Sequence, residues 1–320
     1  MPAHPVRRQF LKGVAAMTAA TVVPWFPSRA DTGSPFRVSV INDEISQDFG
    51  HVCEIASREF GMRWIELRGM WKKNIVNLDD NEVAEARRIL EKYQLKVTDI
   101  ASPLFKSDWP GAPKSKYSED KSFGASTSPS QQDEVLDRAI AMAKAFGTDR
   151  IRCFDFWRLD DPAPYRAAIN DRLRQAAEKA GKNGIILLLE NDGGLNTCTG
   201  AEAAKVLSAV QSPWLMLNWD PGNAAASGEI PYPDGYNLLP KDRIGHCHCK
   251  DAVKKGKKYV WAPMGGGIID WAGQFKALKR DGYHFAVSLE THWNGGGSPE
   301  ASSRKSWAGM KKLLQQADAL

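Results

Sequence analysis

From Phe36 onward, short apolar and β-branched runs alternate with stretches whose apolar residues recur every three or four positions. The runs Phe36–Ile41, Arg63–Leu67, Lys96–Ala101, Arg150–Phe154, Ile185–Leu189, Leu215–Trp219, Ile244–Cys249 and Phe285–Leu289 predict eight strands. Helical spacing fills Val52–Phe60, Asn81–Tyr93, Asp133–Phe146, Tyr165–Lys182, Ala201–Val210 and Trp271–Arg280. A stunted helix is expected near Tyr236–Leu239, and a last one over Glu300–Ala317 follows strand eight. Strands that alternate with helices of about 10–15 residues form parallel sheets. Eight such units in roughly 250–290 residues fit a (β/α)8 TIM barrel over residues 36–320 better than an open doubly wound sheet. No Gly-x-Gly-x-x-Gly follows the first strand, which weighs against a dinucleotide site.

One segment breaks the rhythm. Pro103 to Gln132 is rich in Pro, Ser, Lys and Gly and follows strand three. A connection longer than about 12–15 residues is commonly a lid or a binding loop. It is expected over the barrel mouth, with Trp109-Pro110-Gly111 as a stiff aromatic tip for substrate.

The first thirty residues follow a different logic. Arg7-Arg8-Gln9-Phe10-Leu11-Lys12 precedes the apolar stretch Gly13–Val23, then Pro24, Pro27 and Ser28-Arg29-Ala30. A basic start, a short apolar segment and a small-residue end make an export signal, and the paired arginines resemble the twin-arginine type. Val6 stands where Ser or Thr is usual. Cleavage after Ala30 would leave a periplasmic or secreted protein, delivered folded by the twin-arginine machinery. The signal also corrects the charge. The whole chain has 43 Lys and Arg against 38 Asp and Glu, but Arg7, Arg8, Lys12 and Arg29 belong to the signal. The remainder is nearly neutral, which removes the electrostatic case for nucleic acid or an anionic membrane. No apolar run reaches the ~18–20 residues of a membrane span, so no stable span is expected after cleavage. Five cysteines spread over 320 residues are not a disulfide scaffold, although a single bridge is compatible with them.

The last four strands run into Glu190, Asp220, His248 and Glu290, each at the end of its strand and about one βα unit apart. Barrel chemistry is built from the C-terminal ends of several strands. Three carboxylates and one imidazole suit one divalent cation, Mn²⁺ first, with Mg²⁺ or Zn²⁺ as alternatives. His246-Cys247-His248-Cys249 could instead be a mixed Cys/His zinc cluster, but adjacent strand residues point to opposite faces. Parity groups His246, His248 and Lys250, and sends Cys247 and Cys249 toward the helices. His248, nearer the mouth, is then the ligand and His246 a buried supporting residue. Lys250 would hold a substrate oxygen or be a solvated loop lysine. Arg152 and Glu66 are expected to face the interior, where Glu66–Arg68 or Glu66–Arg152 ion pairs would satisfy their charge; a substrate-binding role is the sharper reading. Asn223, three residues after Asp220, and His292, two after Glu290, fall near the site. Trp71, Trp109, Trp157 and Trp293 are candidates for flat apolar surfaces against a sugar.

From about Val38 to Ala317 the chain resembles the xylose-isomerase-like TIM barrels of the sugar phosphate isomerase/epimerase superfamily. The matching pieces are Ile65-Glu66-Leu67-Arg68, Leu189-Glu190-Asn191, Asp220-Pro221-Gly222-Asn223, His246-x-His248-x-Lys250-Asp251, Gly265-x-Gly267-x-x-Asp270-Trp271 and Ser288-Leu289-Glu290. The resemblance implies that Glu190, Asp220, His248 and Glu290 hold the metal and that Glu190 and Glu290 also carry protons. Asn223 stands where ketose 3-epimerases place a substrate-binding histidine. The expected activity is metal-dependent isomerisation or epimerisation of an unphosphorylated sugar or sugar derivative through an enediolate. A lyase or hydratase acting on keto-sugars or keto-glycosides by β-elimination is the alternative, and a non-catalytic carbohydrate-binding barrel a third. The expected partner is a small sugar, and a homo-oligomer is compatible with the sequence.

The export reading makes a direct prediction. Replacing both Arg7 and Arg8 by Lys should strand the protein in the cytoplasm, as judged by immunoblotting of periplasmic and cytoplasmic fractions. An unchanged periplasmic yield would remove the assignment.

Overall fold

A computed structural model describes residues 33–118, 128–256 and 258–320. The segment expected to be an export signal, and residues 119–127 of the long loop, lie outside the described residues. Eight parallel strands form one sheet: β1 (Arg37–Val40), β2 (Trp64–Leu67), β3 (Lys96–Leu104), β4 (Arg150–Cys153), β5 (Ile186–Glu190), β6 (Leu215–Trp219), β7 (Ile244–Cys249) and β8 (Ala286–Leu289). Neighbours follow chain order, and β8 pairs with β1. The β1–β2 seam is held by a single parallel bridge, Ile41 to Glu66. Asn42 completes it: its side-chain amide donates to the Gly69 carbonyl, and its Oδ1 accepts from Arg68 N at 2.8 Å. The result is a nearly closed TIM barrel.

Eight of the helices among the described residues are α1 (Phe49–Glu54), α2 (Asp80–Tyr93), α3 (Gln132–Phe146), α4 (Arg166–Gly181), α5 (Gly200–Ala209), α6 (Pro221–Ala226), α7 (Trp271–Arg280) and α8 (Pro299–Gln316), and the stunted helix expected after strand six is the single turn Tyr236–Leu238. The first begins earlier than its apolar spacing suggests because Asp48 caps it, accepting from His51 N. It then widens into a π-turn over Ile55–Glu59. Asp79 and Glu82 form a capping box at α2, and Thr199 and Ser298 cap α5 and α8. The core lies between strands and helices, with Leu67, Ile151, Leu187, Leu217 and Val287 fully buried. Cys247 and Cys249 join it, as parity requires, and all five cysteines are free thiols.

Two departures from the expected pattern shape the mouth. The segment after strand three starts later, because β3 runs on through Pro103 to Leu104. Its Trp109 is not a free tip: the indole packs edge-on against Phe156 at 4.8 Å and rests on the core. The second departure is an antiparallel hairpin directly after β7, Asp251–Lys255 paired with Lys258–Ala262. The Asp251 carboxylate pins it by accepting from Gly265 N at 3.1 Å and Gly267 N at 3.0 Å. A Cβ on Gly267 would collide with that carboxylate, so glycine is required there.

Helix α8 makes the closest backbone approach. A Cβ at Gly309 would run into the Met264 carbonyl oxygen, which is rigid main chain. Gly309→Ala should therefore lower the urea midpoint by an amount equivalent to about 1–3 kcal/mol, with the m-value unchanged. An unaltered midpoint would show that α8 is free to move away.

Candidate functional site

The strand ends deliver the site. Glu190 closes β5, Asp220 caps α6 straight after β6, His248 sits on β7, and Glu290 follows β8. Each is at most 2% exposed. His248 Nδ1 lies 3.0 Å from Glu190 Oε1, 3.2 Å from Glu290 Oε2 and 3.7 Å from Asp220 Oδ2. One donor atom from each of the four residues falls within 4.8 Å of all the others. Lys250 enters the same space, its Nζ 2.7 Å from Asp220 Oδ2 and 2.5 Å from Glu290 Oε2. Gly222 makes room for it, since a Cβ there would collide with the Lys250 side chain.

Each acidic group is oriented from behind. Asn191 grips the Asp220 main chain through both ends of its amide, at 2.9 Å each. Asn223 donates its N–H to Asp220 Oδ1 at 2.8 Å and its amide to Asp220 Oδ2 at 3.0 Å. Arg152 reaches Glu190 Oε2 at 3.2 Å while donating to the Ala101 and Ser102 carbonyls. Arg68 reaches Glu290 Oε1 at 2.8 Å and is itself held by Asp43 at 2.8 Å and Glu44 at 2.7 Å. Half-exposed His292 approaches the same Glu290 oxygen at 3.2 Å.

The other nitrogen of His248 faces inward. Its Nε2 is 3.0 Å from Glu66 Oε1, and Glu66 Oε2 is 3.1 Å from His246 Nε2. His246 Nδ1 stands 3.5 Å from Asp99, whose Oδ1 accepts from Thr98 Oγ1. All four of these acidic and imidazole groups are fully buried. This corrects the expectation for Glu66. It pairs with neither Arg68 nor Arg152 and lies beneath the quartet, with no exposed surface for a substrate. Arg68, one residue past the end of β2, also reaches the site, but it pairs with Asp43, Glu44 and Glu290 rather than with Glu66. A carboxylate on the far nitrogen of a histidine fixes ring orientation and tautomer, leaving the near nitrogen to bind a metal.

The charges test whether a cation fits. Asp43, Glu44, Glu66, Asp99, Glu190, Asp220 and Glu290 crowd this end of the barrel, against Arg68, Arg152 and Lys250. Four negative charges are left for the histidines to offset. Burial would lower His248, but Glu66, Glu190 and Glu290 hold its proton well above the usual imidazole range. Burial would raise Glu190, yet His248 and Arg152 bring its carboxyl down to about 2. Asp99, buried beside the Glu66 charge, is pushed up to about 6. In this arrangement a proton on Nδ1 occupies the point where a cation would be bound. The donor set therefore fits a divalent ion, with Glu190, Asp220, His248 and Glu290 holding it.

Of the residues singled out from the sequence, Glu190, Asp220, His248, Glu290, Lys250, Asn223, Arg152 and His292 meet in this one region. Asn223 is engaged as a clamp on Asp220. Trp109 contacts Phe156 and the core. Trp71 packs against Phe49, and Trp157 is buried with Phe154 and Leu195. Sequence reasoning missed Asp43, Glu44 and Asp99, whose partners Arg68, His292 and His246 lie far from them along the chain. It also missed Trp261, although the run Val253-Lys-Lys-Gly-Lys-Lys-Tyr-Val-Trp261 carries a turn glycine between strand-forming residues.

The chain belongs to the xylose isomerase-like TIM barrel family, whose model matches residues 55–313. A curated relative, the putative L-ribulose-5-phosphate 3-epimerase SgbU of Escherichia coli K12, is 26% identical over 164 residues. That match covers 49% of this chain and 56% of the relative, so the chain spans little more than half of that protein's length. Among solved structures, the probable 3-DHS dehydratase AsbF of Bacillus anthracis superposes with a TM-score of 0.66 at 22% identity, covering 87% of this chain and 99% of that one. A xylose isomerase-like TIM barrel protein of Mycobacterium smegmatis in complex with magnesium gives a TM-score of 0.63 at 18% identity, covering 89% and 98%. These likenesses establish the fold.

The two histidines should separate in a metal assay. His248→Ala should purify without a stoichiometric divalent ion. His246→Ala should keep one ion per chain but bind it about 10–100-fold more weakly, as expected when a supporting partner is lost. Elemental analysis and chelator competition check this; equal loss in both variants would contradict the assignment.

Proposed function

We propose that this family member catalyses metal-dependent isomerisation or epimerisation of an unphosphorylated sugar or sugar derivative by proton transfer through an enediolate. The observation that carries the reading is the placement of Glu190 and Glu290. They come from β5 and β8, with two strands between them, and both reach His248 Nδ1, at 3.0 and 3.2 Å. When bound, a divalent ion polarises a carbonyl and acidifies the C–H beside it. One glutamate takes that proton and the other returns a proton to the opposite face, or to the neighbouring carbon. Arg152 and Arg68 keep the two carboxylates from rotating away. Lys250, buried between Asp220 and Glu290, supplies an ammonium for a substrate oxygen as charge develops there.

The absence of phosphate from the substrate is supported by where the cations are used. Among the described residues at the site, Arg68, Arg152 and Lys250 are each engaged by carboxylates. A proposed periplasmic or secreted location, following from the N-terminal signal, points the same way. Manganese is the ion we propose first, since an oxygen-rich donor set with one imidazole suits it. β-Elimination from a keto-sugar or keto-glycoside is the second reading. It is favoured by His292, which sits 3.2 Å from Glu290, half-exposed, where it could protonate a leaving group.

Incubating the manganese-loaded chain in D₂O with D-fructose, D-allulose, L-ribulose and L-ribulose 5-phosphate tests the proposal. Deuterium should enter a free ketose beside its carbonyl. Exchange confined to the phosphorylated sugar, or none, would overturn it. A control with keto-glycosides that releases aglycone or water would favour elimination instead.

The two glutamates give a sharper prediction. Glu190→Gln and Glu290→Gln should each lower turnover by about 10²–10⁴-fold at saturating metal. Deuterium wash-in should be lost from one epimer in one variant and from the other epimer in the second. Full turnover in both metal-loaded variants would leave the glutamates as ligands alone.

A further inference from the structure

The hairpin after β7 places an indole beside the reacting groups. Its register sets Trp261 opposite Ala252, and a small buried residue there leaves the ring free to lean toward the barrel mouth. Trp261 is half-buried, yet it does not rest on the hydrophobic core as Trp71, Trp109 and Trp214 do. Its neighbours are polar. The Lys250 Nζ lies 5.3 Å from the ring centroid, and the His292 ring meets it at 5.5 Å with an interplanar angle of 62°. Both of these residues touch Glu290, Lys250 at 2.5 Å and His292 at 3.2 Å. Among the described residues the indole N–H has no hydrogen-bond partner.

The support is rigid on both sides. His292 has a left-handed backbone, with φ of 45°, and its N–H donates to Glu44 Oε2 at 2.9 Å. The Asp251 carboxylate fixes the base of the hairpin, and the Lys250 carbonyl accepts from Trp271 Nε1 at 3.2 Å. The indole is thereby held beside Glu290 through Lys250 and His292, which both touch that carboxylate. It is well matched to a sugar, which offers a patch of C–H groups on one face and hydroxyls at its edge. The electron-rich face of the indole attracts those polarised C–H groups, and the free N–H can reach a hydroxyl.

We infer that Trp261 is a substrate-binding residue, forming with His292 an aromatic wall that takes the C–H face of the sugar next to Glu290. The inference rests on the sugar reading above and adds the subsite and the face it recognises. The ring contributes no charge for a phosphate, so the wall selects for the carbohydrate skeleton itself.

The experiment compares the metal-loaded full chain with Trp261→Ala and Trp261→Phe on D-fructose, D-allulose and L-ribulose. Exchange kinetics, bound metal and saturation-transfer NMR of the sugar C–H protons are read together. Trp261→Ala should raise KM by about tenfold, keep kcat within about threefold and hold its metal. Trp261→Phe should recover most of the loss, since a phenyl ring keeps the π face. A wild-type protein that binds the sugar and a Trp261→Ala variant with the same KM would overturn the role of the indole alone. Loss of kcat or metal that Phe does not restore would make Trp261 structural and overturn it too. If the wild type neither binds nor exchanges any of the three sugars, the sugar reading itself falls, and this inference with it.

Discussion

A surplus of negative charge at the C-terminal end of the barrel is the constraint on which the rest of the site depends. Seven carboxylates meet three permanent cations in a region with almost no solvent exposure. Burying an uncompensated charge costs several kcal/mol or more, so such a cluster persists only if something positive is shared among its members. The arginines are spent on the outer oxygens of Glu190 and Glu290. Their inner oxygens, with Asp220, converge on one point that His248 Nδ1 and Lys250 Nζ also face. Either protons or a bound cation must occupy that point. The chemistry proposed here uses the same convergence, because a site built to bind positive charge between two carboxylates also polarises a carbonyl between two bases.

The deeper groups make this arrangement specific. Glu66 takes the far nitrogen of His248, His246 holds the other oxygen of Glu66, and Asp99 stands behind His246. These contacts run down the barrel axis and join β2, β3 and β7. They lock the ring so that only Nδ1 addresses the mouth. Gly222 is needed for the same reason from the opposite side, since any Cβ there would displace Lys250. Positioning is thus distributed over strands far apart in sequence, while the groups that would touch substrate gather within one small space.

Much of this was legible before the fold was known, and the limits were physical. Strand and helix periodicity located all eight strands to within a few residues, because barrel strands carry long apolar runs. The strand-end quartet was visible because each member follows an apolar run at one βα spacing. Parity separated His246 and His248 from Cys247 and Cys249, since two-residue alternation is strict inside a strand. Arg68, one residue past the end of β2, also reaches the site, but its partners are Asp43, Glu44 and Glu290. Glu66 was read as a partner of arginines because sequence does not show which strand faces which across a barrel. Trp109 looked exposed in a polar loop but lies on Phe156. Trp261, not singled out from the sequence, lies at the site because of a hairpin that turns at Gly256, whose φ is 62°.

The central claim is that the strand-end quartet, oriented by Glu66, binds one divalent ion between the two glutamates. The most direct measurement is a crystal structure of the manganese-loaded chain with diffraction collected at the manganese absorption edge. The account predicts a single anomalous peak bonded to Glu190, Asp220, Glu290 and the Nδ1 of His248, with Glu66 on Nε2 and Lys250 displaced from the oxygens it shares with the ion. No peak at that point, or a peak held by His246 and Glu66, would contradict it.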